Sequence, residues 1–187
     1  GDISTEKTKL QTVLDNMTDG VIMADVEGRI ILANQASAKL FGFRREDARD
    51  KPLIEVVHDH EADEVLKLCL RTNQTQATQF ESAILKRLVR AIAIPLMDDR
   101  LAAVLLLFQD LTELRSLQTM RRELVGSISH ELRTPLTVIK EIFSLVLEER
   151  IGNLTEDQKE YLGIAHKNIL RLGSMIDALQ NFLRIES

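Results

Sequence analysis

The helical periodicity of residues 110–187 constrains the fold more than any other feature of the sequence. Over 110–149, apolar residues recur at every third or fourth position, the spacing that places them on one face of an α-helix. This first stripe consists of Leu117, Met120, Leu124, Ile128, Leu132, Leu136, Ile139, Phe143 and Val146. The pattern stops at a turn signal that contains Gly152, so we expect one helix over 110–149 and a turn over 150–154.

A second stripe follows the turn, with steps that alternate between four and three residues. It begins at Gln158 and continues through Leu162, Ala165, Ile169, Leu172, Ile176, Leu179 and Leu183. This seven-residue repeat is typical of coiled coils and helical bundles, and it predicts a helix over 155–186. Two such helices form an antiparallel hairpin that cannot cover both stripes by itself. We therefore expect an all-α hairpin that pairs with a second copy as a dimeric four-helix bundle; packing on the first half of the chain is the alternative.

Polar residues at the start of each predicted helix match the capping-box pattern. Asp110 is followed three residues later by Glu113. Thr155 is followed at the same distance by Gln158. We expect Asp110 to cap the first helix and Thr155 the second.

The first half of the chain has the mixed pattern of an α+β domain with an antiparallel sheet. An N-terminal helix or linker over 1–16 precedes a domain over 17–109. Apolar runs predict strands over 20–25, 29–34, 77–84, 88–96 and 101–109, with helical patterns over 35–42 and 61–72. Turn signals lie at Val26-Glu27-Gly28, between the first two strands, and at Asp98-Asp99-Arg100, between the last two, which favours antiparallel pairing.

Composition excludes several classes of protein. The chain has 24 Lys and Arg against 29 Asp and Glu, a formal net charge of −5, whereas nucleic-acid binding calls for a basic surface. The one cysteine, Cys69, excludes an internal disulfide or a multi-cysteine metal site. The longest apolar run, 101–108, is far shorter than the ~20 residues of a membrane-spanning helix. We expect a cytoplasmic protein without a nucleic-acid partner, with any membrane anchor outside this segment.

Segment 127–137, SISHELRTPLT, places a histidine on the outside of the first long helix. At about 100° per residue, His130 lies opposite the face that contains Ile128 and is therefore exposed, with Thr134 one turn later and Glu131 on its flank. An exposed imidazole is largely neutral and nucleophilic at pH 7, and a neighbouring carboxylate can accept its proton. The alternative is a solvated surface histidine without a chemical role.

Pro135 interrupts the same helix. A proline in a helix interior removes one backbone hydrogen bond and costs roughly 3 kcal/mol. The carbonyl of Glu131 loses its donor, so we expect the helix to bend just after His130, with Pro135 facing inward.

The residues HELRTPLT resemble the H-box of the HisKA-type dimerisation and phosphotransfer domain of bacterial sensor histidine kinases. The resemblance covers about 110–187 and implies that His130 takes the γ-phosphoryl group of ATP. It implies that Glu131 is the general base or orienter of the ring, and that Thr134 positions the water of a phosphatase reaction. The phosphoryl group would then pass to an Asp of a response-regulator receiver domain.

In that family, ATP and Mg²⁺ are bound by a separate kinase domain with an Asn-rich box and D-x-G-x-G segments. Neither pattern occurs in this chain, whose glycines are scattered singly. The resemblance therefore implies an ATP-binding domain acting in cis or in trans, and no use of ATP by this chain alone.

The first half resembles a PAS domain. The residues that carry this resemblance are Gly20-Val21, Asp25, Gly28, Asn34-Gln35-Ala36 and Phe41-Gly42-Phe43. Asp110, Thr112 and Glu113, in the segment DLTE, resemble the junction through which PAS domains hold the coiled coil that follows. The resemblance implies that this junction passes a signal from the PAS domain to the first long helix.

Two places in the PAS region could hold a cofactor or metal, and for both we favour a structural interpretation. Cys69 could serve a flavin photosensor, but its apolar surroundings favour a buried thiol. The segment HDHEAD over 58–63 could offer His58 or His60 to haem, or its histidines and carboxylates to a metal. The same carboxylates are the usual composition of a helix N-terminus. We expect no cofactor and no metal, and His166 at the surface.

The sequence thus leads to one function, with one alternative from a different class. We expect the sensor and phosphoacceptor portion of a two-component sensor histidine kinase, with kinase and phosphatase outputs. The alternative is a non-catalytic, PAS-driven dimeric scaffold that senses a ligand.

Overall fold

A computed structural model describes residues 2–82 and 85–185 of the chain. These residues form two compact units, which divide between Arg115 and Ser116. The first unit contains α1 (Asp2–Asn16), β1 (Gly20–Ala24), β2 (Ile30–Ala33), α2 (Gln35–Phe41), α3 (Arg45–Ala48), α4 (Leu53–Val57), α5 (His60–Thr72), β3 (Gln76–Ser82), β4 (Arg87–Asp98) and β5 (Arg100–Asp110). The long helices are α6 (Thr112–Leu147) and α7 (Glu156–Ile185).

The strands of the first unit form one antiparallel sheet in the order β2-β1-β5-β4-β3. The predicted α+β class with an antiparallel sheet is confirmed. The strand predicted over 77–84 is β3, which ends at Ser82; residues 83 and 84 lie outside the described part of the chain. Helices α3 and α4 had no counterpart in the sequence-based prediction.

The core of the first unit lies between one face of the sheet and the helices, with α5 against β3 to β5 and α2 against β1. Phe41 of α2 and Phe108 of β5 meet edge to face, with ring centroids 4.8 Å apart. Cys69 is fully buried in this core, as its apolar neighbours predict. Its burial raises the pKa of the thiol, because a thiolate would lose its hydration there.

Two glycines adopt the left-handed conformation that their positions require. Gly28, with φ of 82°, closes the β1–β2 turn, and Asp25 Oδ1 accepts hydrogen bonds from the backbone N–H of Glu27 and Arg29 there. Gly42, with φ of 72°, ends α2 and donates its N–H to the carbonyl of Ala38. The predicted turn between the first two strands is confirmed.

In the second unit, α6 and α7 form an antiparallel hairpin. Arg133 bonds to Asp177, and Leu136 lies beside Gly173, so numbers rise along one helix as they fall along the other. The predicted capping box begins α7: Thr155 Oγ1 accepts from the N–H of Gln158, at 3.1 Å, and Gln158 Oε1 accepts from the N–H of Thr155, at 2.9 Å.

The predicted cap of α6 is wrong. Asp110 is the last residue of β5, and the helix begins two residues later, at Thr112. The Asp110 carboxylate still bonds to the start of the helix, but through the N–H and hydroxyl of Thr112. Pairing of β5 with β4 extends as far as Asp110, so Leu111 lies between Asp110 and the first residue of the helix.

Candidate functional site

His130 is exposed to solvent on α6, directly after a residue that is buried. Ser129 is 1% exposed and faces the interior of the hairpin. His130 is turned about 100° from Ser129 around the helix and is exposed. The imidazole is thus displayed on a regular helix, where a second protein domain can reach it.

Thr134 and Glu131 take different positions around the histidine. Both are exposed. Thr134 lies four residues after His130 and therefore shares its side of the helix, whereas Glu131 is turned about 100° away. The helical geometry brings Thr134 and His130 together more closely than it brings Glu131 and His130.

Helix α6 continues through Pro135 without interruption from Thr112 to Leu147. Pro135 is exposed in the single chain. It lies seven residues after Ile128, which is also exposed, and hence on the same side of the helix.

One hairpin covers only one edge of the predicted stripes. Leu136 is partly buried beside Gly173 of α7, and Phe143 is also partly buried, whereas Ile128 and Leu132 are 47% and 48% exposed. The large side chains left uncovered form what we call the open apolar face: Leu117, Met120, Leu124, Ile128, Leu132, Val138, Ile139, Ile142 and Leu145 of α6, with Ile164, Leu172, Met175, Leu179 and Phe182 of α7.

On the side of α6 that carries His130, Arg133 bridges the two helices. Its Nη2 atom lies 2.5 Å from Asp177 Oδ1 and 2.7 Å from Gln180 Oε1 of α7. Directly beyond it is a groove of about 320 Å³, whose polar lining includes Arg133, Thr137, Lys140, Ser174 and Asp177. Residues at positions 130, 133, 137 and 140 follow helical spacing, so the histidine, the bridge and the groove occupy one side of the hairpin.

At the end of the sheet, Asp110 connects three elements. Its Oδ2 atom lies 2.7 Å from Arg87 Nη1 at the start of β4, and its Oδ1 atom accepts from the Thr112 hydroxyl at 2.6 Å. Thr112 Oγ1 in turn accepts from the N–H of Leu88, at 3.0 Å. Glu113 is exposed in the first turn of α6.

The pKa of Asp110 is lowered by this arrangement. Partial burial alone would raise it, but the hydrogen bonds from Thr112 and the positive charge of Arg87 together outweigh that effect. Sequence reasoning missed Arg87 and Leu88. Counting the hairpin register outward from Asp99 would have found them, because that count places Asp110 opposite the start of β4.

The segment over 58–63 has the geometry of a helix start. His58 ends α4 in the left-handed conformation, and Asp59 caps α5 by accepting from the N–H of Glu61 and Ala62. Asp63 lies 2.7 Å from Lys67. Among residues 2–82 and 85–185, no group of three or more His, Cys, Asp or Glu side chains is placed to hold a metal ion.

His166 is less exposed than predicted. It is half-buried on α7, and its Nε2 atom is enclosed without a hydrogen-bond partner. It lies seven residues before Gly173, one of the residues that line the groove, and so on the same side of α7.

Asn34 organises the N-terminal end of the PAS region. The residue is fully buried, and its Oδ1 atom accepts from the N–H of Val21 and of Ser37, thereby capping α2. Its Nδ2 atom donates to the carbonyls of Leu14 in α1 and of Asp19 before β1, both at 3.0 Å. One amide side chain thus connects α1 to the sheet.

Two family profiles match the chain in sequence. The PAS fold matches residues 8–111, and the His Kinase A (phospho-acceptor) domain matches residues 120–187. The second match includes His130, Glu131 and Thr134. No helix in the described part of the chain is both long and apolar enough to cross a membrane.

Several curated sensor proteins are similar along almost the whole chain. The alginate biosynthesis sensor protein KinB of Pseudomonas aeruginosa is 29% identical over 195 residues, which cover 100% of this chain and 32% of KinB. The sensor protein kinase WalK of Staphylococcus aureus strain Newman is 25% identical over 183 residues, 98% of this chain and 30% of WalK. A sensor-like histidine kinase, ycf26, of Pyropia yezoensis is 25% identical over 199 residues, 99% of this chain and 30% of that protein.

The chain spans about a third of the length of these relatives. Its PAS profile alone matches more than half of the residues, and the phospho-acceptor profile begins nine residues after the PAS profile ends. The chain belongs to the sensor histidine kinase family, as a PAS domain followed by a His kinase A phospho-acceptor domain.

Proposed function

We propose that this chain is the sensor and phosphoacceptor portion of a two-component histidine kinase, with His130 as the residue that is phosphorylated. The observation that carries the proposal is the exposure of His130, next to buried Ser129, on a continuous helix within the matched phospho-acceptor region. A nucleophile that receives a phosphoryl group from another domain must lie outside its own bundle, and His130 does.

The reaction is a displacement at phosphorus. One ring nitrogen of His130 attacks the γ-phosphorus of ATP, a nitrogen–phosphorus bond forms, the bond to the bridging oxygen breaks, and ADP leaves. The ring loses its proton, which Glu131 accepts after its side chain turns toward the imidazole. ATP and Mg²⁺ are held by an ATP-binding kinase domain acting in cis or in trans, and the phosphoryl group then passes to an Asp of a response-regulator receiver domain.

Thr134 serves the phosphatase reaction. Its hydroxyl lies one turn from His130 on the same side of α6, where it can orient a water molecule toward a phosphorylated receiver domain. Pro135 makes the helix compliant at this point, because its ring nitrogen cannot donate to the carbonyl of Glu131. Pro135→Ala restores that donor and should shift the ratio of kinase to phosphatase activity. If the variant and the unmodified chain have the same ratio, Pro135 does not have this role.

The signal enters through the junction of Asp110, Thr112 and Glu113. A change in the PAS domain that moves β4 also moves Arg87 and Leu88, which bond to Asp110 and Thr112 at the start of α6. The open apolar face supports assembly of two copies as a four-helix bundle, because single proteins rarely expose so large an apolar surface. We place this homodimer in the cytoplasm.

The test is transfer of labelled phosphate from ATP. An isolated histidine-kinase ATP-binding domain is supplied with ATP labelled at the γ-position and with this chain, and acid-labile label on the chain is measured. His130→Gln should abolish labelling, Glu131→Gln should slow it by roughly 100- to 10,000-fold, as expected for loss of a general base, and Thr134→Ala should leave it intact. His166→Gln is the matched control and should label as the unmodified chain does. Label that survives His130→Gln contradicts the proposal.

The open apolar face also favours a second candidate, a PAS-driven dimeric scaffold without phosphotransfer. The same experiment separates the two. A scaffold would dimerise through the hairpin and take no label from any ATP-binding domain of the histidine-kinase class.

A further inference from the structure

Arg133 has no part in the phosphotransfer chemistry described above, yet it is placed to respond to it. It lies three residues after His130, and positions three apart on a helix are neighbours. Among residues 126–134, which extend one turn to either side of His130, it is the one cationic side chain. Arg133 is therefore the cation nearest to His130 along its own helix.

In the unmodified chain the guanidinium bonds to α7. Nη2 of Arg133 donates to Asp177 Oδ1 and to Gln180 Oε1, which lie almost one turn apart on the opposite helix. The side chains of Arg133 and Asp177 remain 45% and 64% exposed. Exposed ion pairs of this kind are weak, so the bridge orients the two helices without committing Arg133 irreversibly.

Phosphorylation changes the competition for the guanidinium. A phosphoryl group brings close to two negative charges and three acceptor oxygens, whereas Asp177 offers one charge and Gln180 none. Arginine pairs with phosphate in a bidentate manner, which is shorter and stronger than a single contact to a neutral amide. The modified histidine is thus the better partner within reach of the same side chain.

We propose that Arg133 is a phosphoryl-responsive clamp: it holds α6 to α7 through Asp177 and Gln180 while His130 is unmodified, and it turns to the phosphoryl group once His130 carries one. The α6–α7 contact beside the reaction centre then loosens, and the groove lined by Thr137, Lys140 and Ser174 changes shape only after phosphotransfer. Arg133 is a positioning residue and does not take part in bond making. The inference rests on the proposed function, because phosphoryl-His130 is its input.

The clamp can be tested without ATP or a kinase domain. Phosphoramidate phosphorylates histidine directly: its phosphorus–nitrogen bond breaks, ammonia leaves, and a new bond to the ring nitrogen forms. Hydrogen–deuterium exchange of segment 174–182, which contains Asp177 and Gln180, is then compared with and without treatment. Treatment of the unmodified chain should raise the exchange rate of this segment about two- to fivefold, the effect of losing one exposed ion pair.

Three variants test whether the change in exchange rate depends on Arg133. Arg133→Gln should exchange faster before treatment and show no further rise after it, because the clamp is already lost. Lys140→Gln, which removes another cation from the same groove, should respond as the unmodified chain does. His130→Gln should not respond, which excludes effects of phosphorylation at His58, His60 or His166.

Each other outcome overturns the inference. If treatment leaves the exchange rate of segment 174–182 unchanged while Arg133→Gln raises it, Arg133 holds α6 to α7 whether or not His130 is phosphorylated. If both proteins respond alike, the response does not pass through Arg133. If His130 is labelled from ATP but this test fails, only the clamp is contradicted. If the clamp responds but His130 is not labelled from ATP, the proposed kinase function is contradicted.

Discussion

At the scale of the residue, function and stability depend on which side chains are buried and which are exposed. Ser129 and His130 are adjacent, yet one is buried and the other exposed, and this contrast separates structure from chemistry on α6. Asn34 shows the structural case. The four hydrogen bonds of its side chain are all made to other groups of the protein, so losing one partner leaves a polar atom of a buried side chain unpaired.

Replacing Asn34 by Asp keeps the shape of the side chain but turns its two N–H donors into an acceptor. The carbonyls of Leu14 and Asp19 then face an oxygen, and the free energy of unfolding should fall by roughly 2–4 kcal/mol. Urea denaturation followed by circular dichroism measures this. Asn168→Asp on the exposed surface of α7 should stay within about 0.5 kcal/mol, and equal losses in the two variants would contradict the assigned role of Asn34.

At the scale of the element, local chemistry predicted some boundaries well and failed at others. The start of α7 follows from Thr155 and Gln158 alone, because a capping box needs no partner from another element. Asp110 has the same local pattern but belongs to β5, because strand pairing with β4 competes for it. Helices α3 and α4, of four and five residues, lack a full helical period of apolar residues and form only against the folded core.

The site divides in the same way. Exposure of His130 could be predicted, because helical period and one motif determine it. The Arg133 bridge could not, because it depends on the pairing of α6 with α7, and a single stripe does not define that register. The same limit applies to the apolar stripes: Ile128 and Leu132 belong to a wider apolar surface, of which one hairpin covers only one edge.

The Asp110 junction predicts a pH dependence. The pKa of Asp110 is lowered in the folded chain, so its contribution to stability is present above about pH 4 and is lost as the pH falls through the lowered value. Thr112→Val removes the hydroxyl donor and should move the pKa of Asp110 upward, toward its ordinary value. A carboxyl carbon NMR titration measures this. Thr8→Val on α1 should leave the titration of Asp110 unchanged, and a response equal to that of Thr112→Val would contradict the assignment.

At the scale of the whole molecule, the open apolar face predicts a stable dimer. Helices of 36 and 30 residues are about 45–55 Å long, which is enough for two copies to bury the ~1,200–2,000 Å² of a specific interface. Sedimentation equilibrium should therefore give twice the 21.2 kDa mass of the chain.

Ile142→Glu introduces a charge into this face, where Ile142 is 51% exposed in the single chain. The substitution should shift the protein toward the monomer, because a carboxylate would lose its hydration at the interface. Ile151→Glu at the α6–α7 turn, where the side chain is 71% exposed, is the matched control and should remain dimeric. A monomeric unmodified chain would contradict the proposed bundle.

The central claim is that phosphate enters at His130, and direct mapping of the phosphoryl group tests it. After incubation with an ATP-binding kinase domain and ATP, digestion at neutral pH after Arg122 and Arg133 releases residues 123–133, which contain His130 as their one histidine. Mass spectrometry should find a single phosphoryl group on this peptide, lost in mild acid and stable in base. A phosphoryl group that withstands acid on a Ser or Thr, or one found on the peptides of His58, His60 or His166 instead, would contradict the account.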